Sequence, residues 1–238
     1  MRVLQLALAV SAIALAACVH VKIEETREVA SSISAGEGVA LVARQQTEGV
    51  SSESEFLDCL ERQMMGREIP ASTTGDGAQP ANSALVNNGV RLVPHKAFVD
   101  QLYPWLEPST TLVDDDFAAT LLARKGVRER IADSGVRYLI TIDGLTNVVD
   151  KSGSISCAIG PGGGGCIGVA FWRKNSGYQA NIWDLKRGVS LGTVGTDATG
   201  NSVFIGALVP LPFIAPVQRT ACNRMANELQ RFLKGEGE

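Results

Sequence analysis

Tyr178-Gln179-Ala180-Asn181-Ile182-Trp183-Asp184-Leu185-Lys186-Arg187-Gly188-Val189-Ser190-Leu191 is the stretch that decides the fold. Tyr178, Ala180 and Ile182 alternate with Gln179 and Asn181, the period of a half-buried strand. Arg187-Gly188 then gives a turn signal before a second β-rich run from Leu191 to Thr199. Upstream, Arg137 to Val149 is β-branched and aromatic, and Cys166 to Arg173 has strand character too. Lys151-Ser152-Gly153 and Asn175-Ser176-Gly177 read as turns between them. The expectation is a meander of antiparallel strands over 137–149, 166–173, 178–186 and 191–199.

Before the meander the pattern alternates between strand and helix. Val39-Ala40-Leu41-Val42-Ala43 is an unbroken apolar run of buried-strand length. Glu53 to Met65 spaces Phe56, Leu57, Leu60 and Met64 as a helix does, with Cys59 on the same face. Ala71 to Asn88 has the composition of a surface loop, and Val90-Arg91-Leu92-Val93 is a short strand ended by Pro94. His95 to Leu106 predicts a helix that Pro104 kinks or stops. Asp114-Asp115-Asp116 caps a longer helix running to about Ser134 and closed by Gly135. A last helix, Pro216 to Leu233, aligns Cys222, Met225, Ala226, Leu229 and Leu233 on one stripe. The fold class is therefore α+β: a mixed, largely antiparallel sheet with packed helices, in the order β-α-β-α-α-β-β-β-β-α. One domain over 39–238 accommodates all of it.

The chain begins with Arg2, a short apolar run and Leu15-Ala16-Ala17-Cys18. Charge, apolar core and small residues in that order make a secretory signal, too short to span a bilayer stably. LAAC resembles the lipobox of bacterial lipoproteins, which implies cleavage after residue 17 and acylation of Cys18. Val19 follows, not the aspartate that often retains such proteins at the inner membrane, so outer-membrane sorting facing the periplasm is expected. Residues 18–38 then read as the acylated cysteine and a tether. The body resembles periplasmic lipoproteins of the curli-secretion and penicillin-binding-protein-activator type, and the N-terminal domain of the Tol translocation protein. That resemblance rests on element order over about 39–234, and on Ala180 to Gly188 as a strand–Asp–turn–Gly hairpin. It implies a protein that assists or regulates an envelope machine.

Past the signal, Cys59, Cys157, Cys166 and Cys222 remain. An even number in an exported protein favours disulfides. Cys157 and Cys166 flank a glycine-rich tract read as a hairpin loop, where closure removes about 3 kcal/mol of unfolded-chain entropy. Cys59 and Cys222, each on an apolar helix face, form the second pair. Composition is that of an ordinary globular protein, with 45% hydrophobic and 20% charged residues. Net charge is −3 with Arg2 counted, and the basic run Arg124 to Arg130 has the spacing of a solvated helix face, so no nucleic-acid partner is expected.

Motifs for catalysis fail in context. Gly188-Val189-Ser190-Leu191-Gly192 satisfies G-x-S-x-G, yet its serine lies in a hairpin and no histidine follows it. Gly160 to Gly165 satisfies G-x-G-x-x-G but leads into a strand, not a phosphate-binding helix. His95 has only Asp100 as a visible neighbour and reads as a surface histidine at a helix start. No cofactor and no metal site is expected: C-x-x-C spacing is absent, and Asp114-Asp115-Asp116 lacks a calcium-loop pattern. Trp105, Trp172 and Trp183 read as core or half-buried residues. Val203 to Val217 is uncharged and carries three prolines. It is either a last strand turning into the final helix or an apolar contact loop, with Leu211 and Phe213 as its partner-binding anchors. The expected function is a non-catalytic, membrane-anchored binding or accessory factor for an envelope complex. Its partners are the bilayer, through Cys18, and an envelope protein. The alternatives are a subunit of an outer-membrane secretion pore, which needs two hairpins of about ten alternating lipid-facing residues each, where Tyr178–Lys186 and Leu191–Thr199 are short and read as sheet strands, and an envelope enzyme.

Overall fold

The computed structural model describes residues 19–34, 36–43, 52–65, 85–87, 90–106, 117–160, 163–206 and 210–236. Its strands are β1 (Val19–Arg27), β2 (Gly38–Ala43), β3 (Leu85–Asn87), β4 (Val90–Val93), β5 (Val136–Gly160), β6 (Gly163–Asp184), β7 (Val189–Gly206) and β8 (Pro210–Phe213). The helices are α1 (Ser52–Met64), α2 (His95–Gln101), α3 (Phe117–Ala123), α4 (Val127–Ser134) and α5 (Val217–Lys234). All strands join one sheet in the order β1-β7-β6-β5-β2-β4-β3, with β8 added on β7. β2 runs parallel to β4 and β5, whereas β3–β4 and β7–β8 are antiparallel. The fold is α+β with a mixed sheet.

The chain divides into two compact units. The larger comprises residues 23–145, 178–196 and 222–238. Here β2 lies between two parallel neighbours, and every residue from Gly38 to Val42 is buried, as expected of a strand covered on both faces. Ala40 and Val42 pack with Phe98 of α2, Leu102 just beyond it, Leu121 of α3 and Ile131 of α4. Val39 and Leu41 point the other way by strand alternation. On the side of α1, Phe56 stacks on Tyr178 with ring centroids 3.5 Å apart. Cys59 of α1 is bonded to Cys222 of α5, with Cα atoms 6.3 Å apart.

Several boundaries differ from the sequence expectation. The helix expected to run to Ser134 is two helices, because Gly126 takes a left-handed φ of 85° and starts α4 afresh. The helix from His95 ends at Gln101, short of Pro104. Leu85–Asn87, expected in a loop, is strand β3 on β4. Val19–Arg27, assigned to the tether, is strand β1, and the alternation in Val-His-Val-Lys-Ile-Glu is its sequence signature. The largest difference is in the meander. The expected strands 166–173 and 178–186 are one strand, β6, and β5 runs past Gly153 to Gly160.

Candidate contact surface on the second unit

The second unit comprises residues 1–22, 146–177 and 197–221. Its main feature is the outer part of the β5–β6 hairpin. Four contacts agree on one antiparallel register: the Cys157–Cys166 disulfide, the Asp150–Arg173 ion pair at 3.7 Å, and the close approaches at Gly153 and Gly168. A Cβ on Gly153 would lie 2.1 Å from the carbonyl oxygen of Val169, and one on Gly168 would lie 2.2 Å from that of Ser154. Both glycines have positive φ, 94° and 138°, which L side chains rarely adopt. Glycine here lets two strands pass close together instead of turning the chain. That is why Lys151-Ser152-Gly153 misleads as a turn signal.

With this register, β-alternation sorts the side chains onto two faces. Ile167, Val169, Phe171 and Arg173 share one face with Asp150, Ser152 and Ser154. Ile167 is 80% exposed and Phe171 48%. The opposite face carries Ile155, Ala170, half-buried Trp172 and the disulfide. No charged residue occurs between Lys151 and Arg173. Charge returns on both strands together, as Asp150-Lys151 on β5 and Arg173-Lys174 on β6. An uncharged ribbon with apolar side chains on both faces thus ends in a charged collar. Next to it, Asp150, Ser152, Phe171, Arg173 and Asn201–Val203 line a groove of about 250 Å³.

The expected contact segment lies in the same unit. Val203–Gly206 of β7 pairs antiparallel with Pro210–Phe213 of β8, Val203 opposite Phe213 and Ile205 opposite Leu211. Pro212 is tolerated because β8 pairs on one side only. Val203 is buried, the Ser202 hydroxyl accepts a hydrogen bond from the Ala215 amide at 3.0 Å, and Ile214 is 57% exposed. The side chains of Leu211 and Phe213 lie outside the described residues, as do Cys18 and Asp114-Asp115-Asp116. Both expected cysteine pairs are bonded, Cys157–Cys166 with Cα atoms 4.0 Å apart. Trp183 is buried in the core of the larger unit. His95 is not a bare surface residue: its Nδ1 lies 3.0 Å from Glu61 Oε1, and Asp100 is not its partner.

No protein-family model matches the chain, and no curated protein matches it. Among solved structures it is similar to the PelC dodecamer of Paraburkholderia phytofirmans. Identity is 11%, with 90% of this chain and 98% of that chain covered and a TM-score of 0.34. A single-substitution variant of the same PelC gives 11% identity, 91% and 99% coverage and a TM-score of 0.34. A likeness this distant does not bear on function.

Proposed function

We propose that this chain is an outer-membrane lipoprotein, acylated at Cys18 and facing the periplasm, that works by binding an envelope partner and not by catalysis. The uncharged β5–β6 hairpin is its contact surface. The observation that carries this reading is the set Ile167, Val169 and Phe171, each at least one-third exposed on one strand face. Clustered apolar exposure is costly in water and marks interaction surfaces. Two disulfides suit an oxidising compartment.

The test is a crosslinking pull-down from intact envelopes with Ile167→Ser/Phe171→Ser. Partner recovery should fall severalfold while the melting temperature shifts by no more than about 2 °C, because exposed side chains contribute little to folding. Undiminished recovery would refute the assignment of the hairpin.

A second reading, a secretion-pore subunit, is favoured by one observation. The uncharged arms 152–160 and 163–172 have the length of a membrane-crossing strand, about 9–11 residues. In this reading several copies would pool their hairpins into a closed barrel, since an open sheet edge is not viable in lipid. Stepwise conductance of the purified acylated protein in planar bilayers, abolished by Phe171→Asp, would favour the pore over the accessory role.

A further inference from the structure

Within the larger unit, Asp58 and Glu61 of α1 and His95 at the start of α2 meet at one point. One ligating atom from each lies within 4.8 Å of the others. Asp58 and Glu61 are three residues apart, so they share a helix face. His95 reaches them from β4's far end because Pro94 stops that strand and the next residue opens the helix. The three residues differ in setting: Glu61 is buried, His95 half-buried and Asp58 exposed.

Ordinary pairing does not fully account for this arrangement. Glu61 Oε1 accepts a hydrogen bond from the His95 backbone amide at 2.6 Å. The His95 Nδ1 atom is also close, 3.0 Å from the same oxygen, yet its geometry makes no hydrogen bond and the atom is shielded from solvent. A buried ring nitrogen without a hydrogen bond costs free energy unless something else engages its lone pair. One imidazole nitrogen and two carboxylates form a donor set that a borderline cation satisfies.

We infer that Asp58, Glu61 and His95 bind a divalent zinc ion that ties α1 to the start of α2. Zinc takes histidine nitrogen and carboxylate oxygen at about 2.0–2.2 Å, which sets tetrahedral ligand pairs about 3.4 Å apart. The exposed Asp58 carboxylate is free of packing and closes the set by changing rotamer. Glu61 and His95 are held by the backbone of two elements, so they form the fixed part of the site. Three protein ligands leave the fourth position to water. Calcium and magnesium are disfavoured, because they prefer more oxygen ligands and take no imidazole here in place of oxygen.

Isothermal titration of zinc chloride into the acylated full chain in detergent, disulfides intact, tests the inference. One zinc per chain should bind, and the thermal transition should rise with zinc concentration, as mass action requires of a ligand that favours the folded state. Loss of even an outer-shell partner weakens metal sites by about 10–100-fold, so Asp58→Asn and His95→Ala should each weaken binding at least about tenfold. Asp58→Asn, at an exposed position, keeps the test valid if His95→Ala fails to fold. His20→Ala should leave zinc affinity unchanged, and magnesium should not compete. Absence of stoichiometric zinc binding, or binding that survives Asp58→Asn or disappears in His20→Ala, would overturn the site.

Discussion

Asp184 is only 1% exposed, and its carboxyl anchors the turn after β6. Its Oδ1 accepts the amides of Lys186 and Arg187, both at 3.0 Å, and its Oδ2 accepts Nε and an Nη of Arg137 at 3.2 and 3.0 Å. Those bonds hold the Arg137 guanidinium firmly charged, with Asp184 the main cause, burial opposing and Glu37 adding to it. Glu37 pairs with Arg137 at 2.7 Å from a half-buried position. Arg137→Met leaves a buried carboxylate without its cation and should cost about 3 kcal/mol in a denaturant melt. Glu37→Gln should cost under about 1 kcal/mol, because its side chain still meets solvent. At the contact of β1 with α5, two carboxyls face each other. Burial and a hydrogen bond with Glu228 raise the Glu25 pKa against the pull of Arg27; Glu228 is lowered, as bonds from Glu25 and Arg231 outweigh burial. A raised Glu25 favours the folded state below the normal carboxylate range and costs stability as pH rises through its folded pKa. Glu228 does the reverse, adding stability above the normal range and losing it as pH falls through its lowered pKa. Glu25→Gln removes the raised carboxyl while its side-chain amide keeps a donor for Glu228. It should match the parent at pH 3 and exceed its melting temperature at pH 8; an advantage confined to low pH would contradict the pairing.

At the scale of elements, the Cys59–Cys222 bond joins α1 to α5 through cysteines 163 residues apart in sequence. In the chain-entropy model a loop of that size is worth about 5 kcal/mol, and native strain or residual unfolded structure reduces it. Cys59→Ser/Cys222→Ser should lower unfolding free energy by about 2–5 kcal/mol, and non-reducing peptide mapping of the parent should recover this pair and Cys157–Cys166. Recovery of Cys59 joined to a hairpin cysteine would contradict the placement of α1 against α5. Both pairs were legible in the sequence because helical period puts Cys59 and Cys222 on apolar stripes, and the eight-residue glycine-rich stretch 158–165 brings Cys157 to Cys166. Strand lengths were not. Gly153 and Gly177 follow Ser, a combination that marks turns when seen alone; at Gly153 only the partner strand shows that glycine is there for close approach, whereas a Cβ on Gly177 would meet open space. β1 is legible from its plain alternation, but it begins directly after a stretch that reads as a signal segment, where a tether is the usual expectation.

For the whole molecule, the fold class followed from sequence because buried β2, amphipathic α5 and the alternation around Tyr178 each have a clear period. The proposed contact surface did not, because exposure of Ile167 and Phe171 depends on what the sheet leaves uncovered, and alternating apolar residues read equally well as core. His95 reads from sequence as a surface histidine for a related reason: its neighbours Asp58 and Glu61 are distant in sequence. The central claim is that the uncharged β5–β6 hairpin is where this protein meets its partner. A photocrosslinking amino acid placed singly at 167, 169 or 171 in intact cells, with exposed Lys125 as the control position, tests it most directly. The account predicts discrete adducts from the three hairpin positions and none from 125, protein adducts marking an accessory role and lipid adducts a membrane-inserted hairpin. Equal labelling at 125, or no adduct from any hairpin position, would contradict it.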